Sequence, residues 1–99
     1  MAQQKTASKA KPLVAKPTPG VHPGELLNDE LVSRKIKKSA FAAKLGVRPS
    51  HLSDVLYGNR HISPSFAVRL EKQLKIDAAY WLEIQMYYDL KVARKRLRA

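Results

Sequence analysis

The sequence predicts an all-α fold of five helices that form one compact domain behind an N-terminal arm. Apolar residues recur at helical spacing in five segments between residues 23 and 90. Proline, serine, aspartate or glycine stands at the boundaries of these segments, where such residues start or stop helices. No segment alternates apolar and polar residues convincingly, as a half-buried strand does. A chain of 99 residues buries one modest core, so we expect a single domain.

The arm is predicted at residues 1–21 and the folded domain at residues 22–99. The arm contains four lysines, three prolines and no acidic residue, and its apolar residues follow neither a helical nor a strand period. A segment of this composition cannot bury enough apolar surface to fold. We therefore expect a flexible, basic, disordered arm.

The first helix is predicted over residues 23–34. Pro23 can occupy a first helical position, and Glu25 then lies in the first turn, where a negative charge is favourable in the field of the helix dipole. Leu27 and Leu31 lie one turn apart and predict the buried face of this helix.

Two short helices are predicted to meet at Gly46. The first spans residues 38–45, and Gly46 can adopt the positive φ that often follows a last helical turn. The second begins at Pro49, and Gly58 ends it. Such a pair, joined by a short glycine turn and packed across one another, is a helix-turn-helix motif. The predicted buried residues of the motif are Phe41, Ala42, Leu45, Val47, Leu52, Val55 and Leu56.

Two further helices follow the motif. Ser63 and Pro64 give the fourth helix a cap and a first residue, and Asp77 is a good cap for the fifth. The fifth helix becomes basic toward its end, since residues 91–99 hold five basic residues and no acid. Cations at the end of a helix are favoured by the dipole, so this composition is consistent with an ordinary helix ending.

The charges at the helix starts of the motif are unfavourable for helix stability. Between Arg34 and Arg48 there are six basic residues and no acid, in a chain of net charge +11. Lys37, Lys38 and Arg48 stand where the two motif helices begin, and cations there oppose the helix dipole by about 0.3–1 kcal/mol each. Bound phosphates would make the same residues favourable, because backbone N–H groups, dipole and cation would then attract one anion. The sequence therefore predicts a DNA-binding motif.

Residue roles follow from the way such motifs dock. The N-terminal part of the second motif helix enters the major groove, while residues at the helix starts and in the following loop contact the backbone. Asp54 either accepts a hydrogen bond from a cytosine, selects against other bases or pairs with Arg48. The predicted base-reading residues are Ser50, His51, Ser53 and Asp54. The predicted phosphate contacts are Lys37, Lys38, Arg48, Asn59 and Arg60.

Other classes of function lack support in the sequence. Cysteine is absent, and the separations of His22, His51 and His61 match no common ligand spacing, so we expect no metal site and no cofactor. No acidic pair or nucleophile forms a recognisable catalytic motif, so we expect no enzyme. Neither a signal-peptide core nor a membrane span is present, and we expect a cytoplasmic protein.

The predicted domain carries a combination of segments that is found in one known family. These segments are His22-Pro-Gly-Glu25, the motif at residues 36–58, Ser63-Pro64, Tyr80-Trp81-Leu82, Gln85 and Tyr88-Asp89-Leu90. Together they resemble the HigA-type antitoxins, a branch of the Xre, or lambda-repressor-like, helix-turn-helix superfamily. The resemblance covers residues 22–92, and its two ends are more specific than the motif. Lys37 and Arg48 depart from it, since the family usually has serine at both cap positions.

The resemblance implies a non-catalytic, dimeric antitoxin that neutralises a RelE-like, mRNA-cleaving toxin and represses its own operon at a palindromic operator. Such toxins are basic, so we expect the toxin to contact the acidic residues Glu25, Asp29 and Glu30. The C-terminal helix is the candidate dimer surface, through Trp81, Ile84 and Tyr88, which share one face that can also belong to the core. A stand-alone phage- or plasmid-type repressor is the alternative, and the basic run argues against a helical adaptor that binds only proteins.

Overall fold

The structure, a computed structural model, describes residues 20–98. Apart from Gly20 and Val21, the predicted arm lies outside the described residues. Residues 20–98 form five helices and no strand, which confirms the predicted all-α fold. The helices are α1 (Pro23–Ser33), α2 (Lys38–Leu45), α3 (Pro49–Leu56), α4 (Pro64–Leu74) and α5 (Ala78–Arg98).

Proline sets the start of three helices, as predicted. Pro23, Pro49 and Pro64 occupy first-turn positions of α1, α3 and α4. At these positions the missing N–H of proline costs no intrahelical hydrogen bond, and its fixed φ suits the helix. The starts of these helices are therefore encoded locally in the sequence.

Helix ends are less uniform. Gly46 follows α2 with φ of 77°, in the left-handed region that glycine adopts without strain. Lys75 follows α4 with φ of 64°, and Lys35, just beyond α1, has φ of 58°. Nothing in the sequence marks these two lysines as helix-ending residues, because the left-handed region disfavours side chains with a Cβ.

The core lies where α4 packs on α5 and on α2, while α1 packs on α3 and on α5. Burying each large apolar side chain contributes about 1.5–3 kcal/mol, so a core of this composition dominates the stability of so short a chain. The largest fully buried side chains are Trp81, Phe41, Phe66, Leu27, Leu31, Leu52, Ile62, Leu70, Leu74, Ile84 and Val55.

One backbone contact fixes α1 against the second motif helix. Gly24 is buried, and a Cβ added to it would overlap the backbone carbonyl oxygen of Val55 in α3. Only glycine allows the two helices to approach this closely. This contact explains the Gly24 of the N-terminal segment, for which the sequence analysis had no structural reason.

The predicted dimer surface needs a correction. The side chains of Trp81 and Ile84 are fully buried in the core, so neither has surface left for a second subunit. Tyr88 is half-buried and stands at the edge of the same helix face. The apolar stripe of α5 therefore closes the monomer core, and only Tyr88 of the three retains contact surface.

No helix within residues 20–98 has the length and apolar character that crossing a membrane requires.

Candidate nucleic-acid interface

The two motif helices, α2 and α3, begin without a side-chain cap. Lys37 is the residue before α2 and Arg48 the residue before α3, and both have the extended backbone of a cap position. Neither side chain accepts a hydrogen bond from its helix. Both side chains are exposed, as is that of Lys38 in the first turn of α2. The structure therefore places the three predicted phosphate contacts at two helix starts whose N–H groups have no side-chain acceptor.

The other three helices are all capped. The Nδ1 atom of His22 accepts from the N–H of Gly24 at 2.9 Å, at the start of α1. The Oγ of Ser63 accepts from the N–H of Phe66 at 3.2 Å, at the start of α4. The Oδ1 of Asp77 accepts from the N–H of Ala79 at 3.0 Å, at the start of α5. Such a cap contributes about 1 kcal/mol to stability, so its absence at both motif helices separates them from the rest of the fold.

The turn between the motif helices is held from outside the motif. A guanidinium nitrogen of Arg69 in α4 donates to the carbonyl oxygen of Leu45 at 2.6 Å. The N–H of Gly46 donates to Ala42 and Ala43 at 3.0 and 3.1 Å, which satisfies the last carbonyls of α2. The angle between α2 and α3 is thereby fixed by α4 as well as by the glycine.

His51, a predicted base reader, is positioned by a ring contact. Its imidazole stacks on Phe66 of α4, with ring centroids 5.0 Å apart and an interplanar angle of 29°. Burial lowers the pKa of His51, the nearby Arg60 lowers it further, and Asp54 opposes them. The ring is therefore neutral at physiological pH in the free protein, and it can both donate and accept a hydrogen bond.

The remaining predicted contacts lie along α3 and the loop that follows it. Ser50 and Asp54 are exposed, and Ser53 is half-buried. Asn59 and Arg60 are exposed in the loop, where the N–H of Asn59 donates to the carbonyl oxygen of Asp54 at 2.8 Å. The predicted residues thus come from neighbouring parts of the chain, and their assigned roles stay predictions.

Tyr57 was missed by the sequence analysis. Its side chain is 73% exposed at the position that ends α3, between the predicted base readers and the loop. Exposing the apolar ring of a tyrosine to water is unfavourable. Such tyrosines are typical of contact surfaces, because the ring can pack on a partner while the hydroxyl donates a hydrogen bond to it. Its position directly after the second motif helix was the signal that could have identified it.

The two ends of the domain meet beside this loop. The Oε1 of Gln85 in α5 accepts from the buried N–H of Ile62 at 2.7 Å. The Nε2 of the same amide donates to Asp89 at 3.0 Å. The His22 ring packs edge-on against Tyr88, with centroids 4.9 Å apart. The residues that carried the family resemblance therefore hold the loop and the start of α1 on α5.

The three acidic residues predicted for toxin contact lie on α1, but their charges are not equally free. Glu25 and Asp29 are exposed. Glu30 accepts from the Nε of Arg34 at 3.0 Å, one turn further along the helix. The free negative charge of this face therefore comes from Glu25 and Asp29.

Comparison with known proteins identifies the family. The sequence model of the helix-turn-helix family matches residues 27–81. The chain belongs to this family. The matched region contains both uncapped motif helices and the turn between them. The helix-turn-helix family is one of DNA-binding proteins and not a class of enzymes. In residues 20–98, no group of three potential metal-ligating side chains converges on one point.

Relatives of this helix-turn-helix protein include antitoxins. Virulence-associated protein I of Dichelobacter nodosus is 37% identical over 78 residues, which cover 78% of this chain and 72% of the relative. An addiction module antidote protein of the HigA family from Coxiella burnetii matches with a TM-score of 0.74 and 32% identity, over 80% of this chain and 87% of that protein. Antitoxin HigA of Pseudomonas aeruginosa, solved with the higBA promoter, matches with a TM-score of 0.75 and 33% identity, over 78% and 85% of the two chains. These matches confirm the resemblance that the sequence indicated.

Proposed function

We propose that this protein is the antitoxin of a type II toxin-antitoxin module. In this role it neutralises a RelE-like, mRNA-cleaving toxin in the cytoplasm and represses its own operon. It binds a palindromic operator as a homodimer, as helix-turn-helix proteins usually do. The similarity to HigA-family antitoxins supports the toxin part of the proposal.

One observation carries the DNA-binding part of the proposal. Of the five described helices, the two that lack a side-chain cap are the two motif helices, and both begin beside a cation. Free N–H groups, the positive end of the dipole and a basic side chain attract the same phosphate oxygen. Without a phosphate, this arrangement only destabilises the helices. Binding to the DNA backbone supplies the missing acceptor at both starts.

Base reading is proposed for the exposed side of α3. His51 is held on Phe66 and presents a neutral donor and acceptor, beside Ser50, Ser53 and Asp54. Phosphate contacts are proposed for Lys37, Lys38, Arg48, Asn59 and Arg60, with Tyr57 added to this group because of its exposure. Direct base contacts supply specificity, whereas phosphate contacts supply affinity and register.

The division of roles can be tested by comparing two single variants on two kinds of DNA. Lys38→Ala should weaken binding to promoter and mixed-sequence duplexes alike and reduce the salt slope by about 1. His51→Ala should weaken binding by about 1–3 kcal/mol, and only at the protein's own promoter. Equal losses for both variants on both duplexes would contradict the assignment.

The toxin part is tested by the neighbouring gene. If a small basic protein is encoded beside this chain, co-expression should yield a stable complex of the two and restore growth that the neighbour alone arrests. A protein that binds its own promoter but captures no neighbour would instead be a stand-alone phage- or plasmid-type repressor.

A further inference from the structure

The last three turns of α5 extend beyond the core. Its buried residues are Trp81, Ile84 and Gln85, whereas the helix continues to Arg98. Every residue from 93 to 98 is exposed, and Leu97 is 87% exposed. Core packing therefore does not explain why the chain continues as a helix here.

The charge of this helix end exceeds what helix stability requires. Five of the eight residues from 91 to 98 are basic and none is acidic. Lys91 and Lys95, and likewise Arg94 and Arg98, are like charges one turn apart, which destabilise a helix about as much as a single favourable pair stabilises it. The ion pairs found within residues 20–98 include none of these cations. One or two cations would satisfy the dipole, so the repeated charge indicates an anionic partner.

One face of this helix end continues from the loop that follows the motif. Ile62 is held at the level of Gln85, and the Nε2 of His61 lies 3.9 Å from the Oδ1 of Asp89, one turn further along α5. Arg96 is seven residues beyond Asp89, which is two helical turns and about 10 Å further on the same face. The guanidinium of Arg96 thus follows the row of α5 residues that contacts the loop.

The loop itself belongs to the proposed DNA surface. Arg60 precedes His61 in the chain, and its charge acts on His51 of α3. The side chain of Lys91 lies against Gly20, so the residues that precede α1 lie beside this part of α5. Arg60 in the loop and Arg96 on α5 are thus cations on either side of Asp89, whose carboxylate lies 3.9 Å from the Nε2 of His61.

We infer that one side of the basic end of α5, the side that carries Arg96, is a second contact surface for the phosphates of double-stranded DNA. This inference rests on the proposed operator binding, and it assigns to α5 a role separate from base reading. The surface adds affinity without sequence preference, because it contacts only the backbone.

The experiment compares two arginines on one helix. Arg94 and Arg96 are two residues apart and therefore project to nearly opposite sides of α5. Arg96→Gln and Arg94→Gln remove the same charge from the same helix end, so they change the net charge alike, and Arg94→Gln in addition relieves the like-charge pair with Arg98. The full-length variants are titrated at several salt concentrations with the protein's own promoter duplex, a mixed-sequence duplex and a single-stranded RNA. Lys38→Ala serves as the reference for a contact of the motif itself.

The expected result is a loss confined to Arg96→Gln. Its affinity for both duplexes should fall about fivefold at physiological salt for each protomer bound, and the salt slope should decrease by about 1. Arg94→Gln should bind like the unaltered protein. Equal losses in both variants would show a diffuse effect of charge and would overturn the inference, as would a loss seen only with RNA.

The Lys38→Ala reference separates a wrong role for α5 from a wrong role for the motif. If Lys38→Ala weakens binding to duplex DNA and Arg96→Gln does not, the motif binds DNA and the role of α5 alone is wrong. If neither substitution changes binding to either duplex, both the motif assignment and the α5 surface are wrong.

Discussion

The starts of the scaffold helices α1, α4 and α5 differ from the starts of the motif helices α2 and α3. The scaffold helices use His22, Ser63 and Asp77 as caps, each with a side-chain acceptor within 3.2 Å of a backbone N–H. The motif helices have Lys37 and Arg48 at the same positions, with no such bond. One chain thus satisfies its helix starts where they only support the fold and leaves them unsatisfied where we propose that they face DNA.

This difference separates stability from function at equivalent positions. An uncapped start with a cation costs about 1–2 kcal/mol relative to a serine cap, once the lost hydrogen bond and the unfavourable dipole interaction are combined. Two such starts are a considerable fraction of the roughly 5–15 kcal/mol that typically stabilises a small domain. Locally unfavourable residues of this kind are expected at functional sites, where binding offsets their cost.

The largest expected effect comes from the scaffold side. Gly24→Ala places a Cβ on the carbonyl oxygen of Val55, and because both partners belong to the backbone, α1 must move away from α3. We expect a loss of about 3 kcal/mol or more in the free energy of unfolding, measured by urea denaturation. The neighbouring exposed substitution Glu25→Ala is the control and should cost less than about 1 kcal/mol. A Gly24→Ala protein of unchanged stability would contradict the close contact between the helices.

Exchanging the residues at the cap positions should reverse the difference between the motif helices and the scaffold helices. Lys37→Ser and Arg48→Ser give both motif helices a side-chain acceptor and remove an unfavourable cation. The double variant should gain about 1–2 kcal/mol of stability and lose affinity for DNA, with the salt slope reduced by about 2 for each protomer. Ser63→Ala, made in the scaffold, should do the opposite to stability, with a loss of about 1 kcal/mol and unchanged DNA binding.

Thermal unfolding and DNA titration of the same samples decide this prediction. A double variant that is less stable than the original would show that Lys37 and Arg48 stabilise their helices by some other contact. A variant that is more stable and binds DNA equally well would remove the argument that these cations hold phosphates.

The scaffold cap at His22 should make stability depend on pH. Burial lowers the pKa of His22, and the nearby His61 lowers it further, while Asp89 and Glu25 oppose them. The Nδ1 atom can accept from Gly24 only when the ring is neutral. As the pH falls through 6.5, the unfolded chain binds a proton before the folded one does, so stability is lost between about pH 6.5 and the lower pKa of the folded state.

The measurement is the free energy of unfolding between about pH 7.5 and 5, with two matched asparagine variants. His22→Asn keeps a side-chain acceptor at the cap position and should flatten most of the dependence. His51→Asn removes the other histidine whose pKa is lowered, and should flatten it less because that ring is less buried. Equal slopes for the original protein and His22→Asn would exclude the cap as the source.

Sequence reasoning succeeded where one residue determines local geometry. Pro23, Pro49 and Pro64 fix helix starts through their own φ, and Gly46 permits the turn through its missing Cβ, so no distant contact was needed to predict them. The places of Lys37 and Arg48 at the starts of α2 and α3 were likewise predicted from the sequence, and their contact with phosphate stays a prediction. The motif and its cationic helix starts are therefore predictable from short stretches of the chain.

Sequence reasoning failed where the reason lies across space. The role of Gly24 depends on Val55, 31 positions further along the chain, and the role of Gln85 depends on the N–H of Ile62. The sequence left open whether Trp81 belongs to the core, to a dimer surface or to both, because helical spacing shows which residues share a face, and not whether that face is covered. Burial by α4 and α1 decided that question, and it followed only from the packing.

The smallest expected effect on stability concerns the acidic face of α1, where contact with the proposed toxin is predicted. Glu30 is bound to Arg34, so the charges available to a basic partner are those of Glu25 and Asp29. Exposed complementary charges act mainly on the association rate. Glu25→Gln with Asp29→Asn should therefore slow association with the toxin at low salt, whereas Glu30→Gln should leave the rate nearly unchanged.

The stability and the DNA binding of the Glu25→Gln, Asp29→Asn double variant are measured as controls. The double variant should lose no more than about 1 kcal/mol, since it removes one favourable first-turn charge and an exposed carboxylate. Glu83→Gln, on the exposed side of α5, removes a negative charge elsewhere and should not slow association. If Glu25→Gln with Asp29→Asn binds the toxin at the original rate at low ionic strength, the contact lies on another surface, and the half-buried Tyr88 at the edge of α5 becomes the next position to test. If Glu83→Gln slows association equally, the attraction reflects net charge and not a docking face on α1.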